Sequence, residues 1–142
     1  MEKMDIINTI KSYAELPPLF KATGLGNRSD AEIEAAFKNS RYIAAIYRED
    51  KLIGAGRAFG DEVDCAVICD LVVLPEEQTK GLGSLLLNNL VAQVSHHLRV
   101  ILYAVPGKEG FYKKHNFHTM KTARMTSAKL PLEWGRNIGF IE

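Results

Sequence analysis

The sharpest chemical signal in this chain is the segment Gln78-Thr79-Lys80-Gly81-Leu82-Gly83-Ser84. It follows an apolar run ending at Leu74 and opens a stretch with helical apolar spacing. The first N–H groups of a helix have no partner within it, and they carry partial positive charge. Glycines at that point let an anion approach the backbone closely. The pattern predicts an anion site, with a pyrophosphate as the expected guest. Two other phosphate motifs are excluded. A P-loop needs G-x-x-x-x-G-K-S/T, and the chain contains no such string. A dinucleotide fingerprint needs glycine or alanine where Leu86 stands, and an acidic residue about 20 positions on, where His97, Leu98 and Arg99 stand.

Asp70 is a carboxylate at the end of the apolar run Cys65-Ala66-Val67-Ile68-Cys69. Burial there is expected to raise its pKa into the range of a useful general base. Asp61, Glu62 and Asp64 are alternative acids. His115 and His118 could titrate near neutrality, as could His96 and His97, which follow a helix end and are expected to be solvated. Cys65 and Cys69 are four positions apart. On a strand their Cα atoms would be roughly 13 Å apart, too far for a disulfide. They are expected to be buried structural thiols in a reducing compartment. With His96-His97 they do not complete a zinc set, so no metal is expected. No Ser/His/Asp or Cys/His arrangement is readable.

These residues need elements to hold them. The first element read is a helix starting near Ser12, with Pro17 and Pro18 in its first turn. Gly24-Leu25-Gly26-Asn27 breaks the chain. Ser29 or Asp30 can cap a helix over Ala31 to Lys38. Arg41 to Tyr47 and Lys51 to Phe59 read as strands joined by a turn at Glu49-Asp50. After a turn at Gly60-Asp61-Glu62, the apolar run from Val63 to Leu74 suits a central strand buried on both faces. Gly81 to His97 is a strong helix, with Leu82, Leu85, Leu86, Leu90 and Val94 at three- and four-residue spacing. A strand from Arg99 to Val105, a turn at Pro106-Gly107, a short helix from Lys108 to His115 and a strand region over Met120 to Leu130 follow. The tail from Pro131, with Trp134, is unplaced. Three strands on short turns form an antiparallel meander, and a strand–helix–strand unit forms a parallel crossover. The expected fold is α/β: one domain over residues 1–142, a mixed central sheet with an N-terminal antiparallel meander and a parallel fourth and fifth strand that splay apart.

Composition sets the outer bounds. The chain has 142 residues, 46% hydrophobic and 25% charged, close to globular averages. That excludes a disordered chain and a disulfide scaffold. Net charge is +1, and no basic stripe with interleaved aromatics appears, so no nucleic-acid partner is expected. The charge is uneven: net −3 over residues 1–70 and +4 over 71–142, an acidic half to attract a cation and a basic half to hold an anion. The longest near-continuous apolar stretch is too short for a bilayer, and Met1 to Asp5 leads into no apolar signal region. No membrane association is expected, and the cytoplasm is the expected location.

The string Gln78-x-x-Gly81-x-Gly83 matches the Q/R-x-x-G-x-G/A signature of the GNAT superfamily of acetyl-CoA-dependent N-acetyltransferases. Asp70 to Pro75 resembles that family's fourth strand. Gly110-Phe111-Tyr112-Lys113-Lys114-His115-Asn116-Phe117 resembles its F-Y-x-x-x-G-F element, with Asn116 in the glycine position. Asn tolerates the left-handed conformation better than other side chains do. The resemblance covers residues 5–130. A narrower similarity, over Leu19 to Gly24, Ala36 to Ser40 and Lys51 to Ala58, is to the serotonin (arylalkylamine-type) N-acetyltransferases of plants and cyanobacteria and their bacterial relatives.

The resemblance implies that acetyl-CoA is the co-substrate and a small-molecule amine the acceptor. Backbone N–H groups of Thr79, Lys80, Gly81, Leu82, Gly83 and Ser84 would hold the pyrophosphate, with Gln78 in the signature. Leu71, Val72 and Val73 would pair with the pantetheine arm as an added strand. An N–H near Leu71 or Val72 would polarise the thioester carbonyl. Lys80, Lys108 and Lys114 are candidate outer phosphate contacts. Tyr112 would protonate the leaving thiolate, since a phenol near pKa 10 can serve a thiol near 8.5. Asp70 would take the amine's proton. Direct transfer needs no acyl-enzyme, so neither cysteine is required as a nucleophile. The alternatives are a peptide or protein N-acetyltransferase, and an acyl-CoA sensor with little turnover. Family members are often dimers, and the 131–142 tail is a candidate for such a contact.

Overall fold

The computed structural model describes residues 3–142. Met1 and Glu2, the start of the segment read for a leader, lie outside the described residues. The chain divides into two compact units, one ending at Leu102 and one running from Tyr103 to Glu142.

The first unit holds a five-stranded sheet in chain order, β1 (Met4–Ile7), β2 (Tyr42–Arg48), β3 (Lys51–Gly60), β4 (Cys65–Val73) and β5 (Arg99–Ile101). The first four are antiparallel, and β5 joins β4 in parallel. The expected three-strand meander is β2–β3–β4, and β1 adds a fourth antiparallel strand at its edge across the intervening helices. β1 escapes a sequence reading because it is a four-residue edge strand with Met4 and Ile6 exposed, so it presents no buried run. Glu49 and Asp50 both take positive φ, 49° and 66°, which is the two-residue hairpin matched to strand twist. The strands buried on both faces are β2 and β3. β4 alternates instead: Ala66 and Ile68 are buried, while Cys65, Val67 and Cys69 are half-exposed. That corrects the expectation of a doubly buried β4 with buried thiols.

Helix α1 (Leu16–Thr23) follows a 3-10 turn at Tyr13–Glu15 and ends on Gly24 at φ 69°. Helix α2 (Asp30–Lys38) starts with a full capping box: Ser29 Oγ accepts from the Glu32 N–H, and the Glu32 carboxylate accepts from the Ser29 N–H. Helix α3 (Leu82–Val94) buries Leu82, Leu86, Leu87, Leu90 and Val94. Leu87 takes the place expected of Leu85, which is 44% exposed. Two β3 glycines let α3 come close. A Cβ at Gly54 would lie 3.2 Å from Leu86 Cδ1, and one at Gly56 would lie 2.9 Å from Leu90 Cδ1.

The second unit holds α4 (Glu109–Lys114) and α5 (Leu132–Asn137). The expected strand over Met120 to Leu130 is irregular and almost wholly exposed. Its apolar residues 120, 123, 125, 128 and 130 do not keep a period of two, so no strand face forms. The tail is ordered around α5: Phe140 sits edge-on to both Tyr103 and Trp134, with ring centroids 5.3 and 6.2 Å away. Among the described residues no helix is long and apolar enough to cross a membrane.

Candidate active site

The site is built where β4 and β5 part. Their parallel ladder runs only over Cys65, Ala66 and Val67, opposite Arg99, Val100 and Ile101. Beyond Val67 no strand of the described residues pairs with β4 on that side, so its edge has no ladder partner through Val73. This also shortens β5, expected to reach Val105: without a ladder partner, residues after Ile101 are not strand. On the other side, β4 remains paired to β3.

That pairing contains a bulge. Arg57 faces Cys69 and Ala55 faces Val72, so Asp70 and Leu71 together oppose Gly56. Asp70 takes φ 53°, unusual for a residue with a side chain. Its carboxylate is fully engaged. Arg28, on the loop between α1 and α2, donates from both Nη atoms at 2.8 Å. Arg57 donates from Nε at 2.7 Å. Burial pushes the Asp70 carboxyl up, but the hydrogen bonds and charges of Arg28 and Arg57 outweigh it, and the pKa is lowered. The expectation of a raised Asp70 pKa is therefore reversed. The apolar run showed desolvation, while the two arginines that oppose it lie 13 and 42 positions away in sequence. Beside Arg28, a recess in the α1–α2 region is lined by Phe20, Leu25 and Ile33.

At the far end of β4, the Gln78 side chain donates to the Val73 carbonyl at 3.0 Å and ties the loop to the strand. Thr79 and Gly81 both have positive φ, 68° and 80°. For a β-branched residue such as Thr79 this is a strained conformation, of a kind that clusters at functional sites. Gly81 is the N-cap of α3, and a Cβ there would meet nothing within 4 Å. The first bond from the α3 backbone back to the cap is from Leu85 N to Gly81 O, and no acidic residue stands in the first turn. The N–H groups of Leu82 and Gly83 therefore precede the first bond of the helical ladder, in the positive field of the helix end. An anionic cofactor with a narrow arm fits this strand edge and loop. Lys80 leans away from a purely phosphate role: its ammonium is 3.1 Å from Glu77, which Arg48 also binds at 3.2 Å.

Tyr112 and Lys114 belong to α4 of the second unit, and Lys108 is its N-cap. Burial raises the Tyr112 pKa, which keeps its hydroxyl protonated. Phe111 and Phe117 pack edge-on to its ring at 5.0 and 6.0 Å. Asn116 takes φ 66°, the left-handed conformation expected where a glycine is usual.

The alternative acids are structural. Asp61 Oδ1 accepts from the N–H groups of Val63, Asp64 and Cys65, and those bonds lower its pKa. Glu62 binds Tyr42 and His96, and Asp64 lies 3.6 Å from Arg99. His97 is buried, not solvated: Nε2 accepts from Glu62 N–H at 2.9 Å and Nδ1 faces Val94 O at 2.8 Å. Glu62, His96 and His97 lie close enough together to suggest a metal site, but both His97 nitrogens are already committed. Cys65 and Cys69 are free, and burial raises the Cys69 pKa.

Comparison with known proteins agrees with this geometry. An uncharacterized N-acetyltransferase, ycf52, of Pyropia yezoensis is 32% identical over 109 residues, 72% of this chain and 63% of that protein. The chloroplastic serotonin N-acetyltransferase 2 of Oryza sativa subsp. japonica is 31% identical over 104 residues, 69% of this chain and 52% of that protein. The chain thus spans between about half and two-thirds of the length of these curated relatives. A crystal structure of a protein of unknown function from meticillin-resistant Staphylococcus aureus has the same fold, with TM-score 0.77 and 22% identity over 90% of this chain and 100% of that one. The acetyltransferase (GNAT) family model matches residues 10–117, and with the splayed strands and the glycine loop at α3 it assigns the chain to that family.

Proposed function

We propose that this chain transfers an acetyl group from acetyl-CoA to a primary amine of a small molecule, by direct attack with both substrates bound. The observation that carries this reading is the open β4 edge leading into an uncapped, acid-free α3 N-terminus. Leu71, Val72 and Val73 would hydrogen-bond the pantetheine arm as an added strand. The N–H groups from Thr79 to Ser84 would hold the pyrophosphate, with Gln78 keeping loop and strand together. Lys114 would make an outer phosphate contact. Acetyl-CoA supplies the activated acyl group, and an N–H at Leu71 or Val72 would polarise its carbonyl.

Tyr112 would protonate the departing thiolate, as family resemblance implies and its raised pKa supports. Asp70, with its lowered pKa, is a weak base, so the acceptor's proton would leave to solvent before attack. Half-buried Leu25, in the recess floored by the buried Phe20 and Ile33, would offer apolar surface to an aromatic amine.

The test is release of free thiol from acetyl-CoA across tryptamine, serotonin, spermidine and lysine, against a blank without amine. Turnover with an aromatic amine is expected. Silence across the panel, with tight acetyl-CoA binding by calorimetry, would overturn small-amine transfer in favour of an acyl-CoA sensor or a peptide acetyltransferase.

A further inference from the structure

We propose that Asp70 is a positioning residue, whose carboxylate locks the β4 bulge and so sets the direction of the Leu71 and Val72 N–H groups. The proposal rests on the acetyl-transfer reading for its kinetic consequence, though not for its structural one. The bulge is costly in two ways. It puts a residue with a side chain at φ 53°, and it leaves two residues facing one. Such a conformation persists only when its surroundings over-determine it.

The surroundings here come from three directions. Arg28 reaches in from the α1–α2 loop as a two-pronged fork, both bonds 2.8 Å. Arg57 reaches across from β3 at 2.7 Å. Arg57 Nη1 also donates to Ser40 Oγ at 3.2 Å, and that hydroxyl donates to Ala36 O at 2.7 Å, at the end of α2. Gly56 completes the lock, because a Cβ there would lie 2.9 Å from Leu71 Cδ1. Three donors occupy both carboxylate oxygens, an arrangement that suits holding more than proton transfer. The charged and titratable neighbours of Asp70 are Arg28, Arg57 and Cys69. No second acid stands among them to share a proton.

The discriminating variant is Asp70→Asn, since Asn tolerates positive φ and keeps an acceptor oxygen but loses the charge. Two readouts are needed. In thiol-release kinetics, kcat should fall about 10²-fold, the scale of a small misplacement at a reacting centre. The acetyl-CoA dissociation constant should stay within about threefold, and the pH at which the rate rises should not move. In hydrogen exchange, the amides of Leu71 and Val72 should exchange faster in the variant than in the wild type. Arg28→Lys, which keeps the charge without the fork, should show both effects in weaker form if Asp70→Asn folds poorly.

Loss of the neutral-pH limb in Asp70→Asn would make Asp70 a general base and overturn the proposal. Unchanged kcat with unchanged exchange would also overturn it. If the wild type releases no thiol with any amine, the acetyl-transfer reading fails on its own, and exchange at Leu71 and Val72 still decides the positioning role.

Discussion

Tyr112 and Gly81 show how much one residue can carry. The phenol on α4 is half-buried among Phe111 and Phe117, and burial raises its pKa. It is thus protonated throughout the neutral range, as the acid role proposed for it requires. Tyr112→Phe is expected to lower kcat by roughly a hundredfold or more, the usual worth of a positioned acid. Acetyl-CoA affinity should be unchanged, and stopped-flow thiol release with calorimetry separates the two. Gly81 acts through its backbone. At φ 80° with nothing near its missing Cβ, Gly81→Ala meets no clash but loses the conformational freedom. The expected cost is about 1 kcal/mol of stability, with a larger acetyl-CoA dissociation constant where the loop relaxes, both read from thermal melts with and without ligand. The glycines and the tyrosine could be singled out in sequence because the motifs that carry them are local. The protonation preference of Asp70 was not, because Arg28 and Arg57 reach it from distant positions.

Elements position these groups through a few close approaches. The end of β3 is the tightest. A Cβ at Gly60 would lie 2.6 Å from His97 Nε2, 2.8 Å from Cys65 O and 3.0 Å from Ala66 Cα. Two of these three atoms belong to the β4 backbone and cannot give way cheaply. Gly60→Ala should cost about 1–3 kcal/mol, as overpacking does, and a urea titration would show it as a lower midpoint with an unchanged slope. At α2 the capping box satisfies two orphan N–H groups. Ser29→Ala should cost about 1 kcal/mol, and because Ser29 follows Arg28 it should also loosen the loop that grips Asp70. Equilibrium unfolding measures the first effect and amide exchange at Asp70 the second. The capping box, the Glu49-Asp50 hairpin and the face of α3 follow from local patterns. β1 and the missing strand over residues 120–130 do not, since a strand exists only where a neighbouring edge accepts it.

Across the whole molecule, acid sensitivity is the collective consequence of how its carboxylates are held. Asp70 is lowered because guanidinium bonds overcome its desolvation. Asp61 is lowered by three backbone N–H groups, Glu62 by Tyr42 and then His96, and Glu77 by Lys80 and then Arg48. A carboxylate whose pKa is lower folded than unfolded contributes stability above its unfolded pKa, and that contribution is lost as pH falls through the folded value. Melting temperature should therefore be flat in neutral buffers and fall below about pH 4, near the unfolded carboxylate values. In Asp70→Asn the acid decline should be shallower, and an equal decline in both proteins would count against the Asp70 linkage. By itself the sequence determined the family, the element order from α1 to α4, the glycine loop that opens α3 and the left-handed Asn116, because each rests on spacing along one segment. Only the tertiary structure decided that β4 is bulged at Asp70, that its edge opens beyond Val67, that His97 is buried and that Asp70 is held ionised. Each of those depends on groups brought together across tens of residues, where the balance of desolvation against pairing is set by geometry that no local pattern encodes.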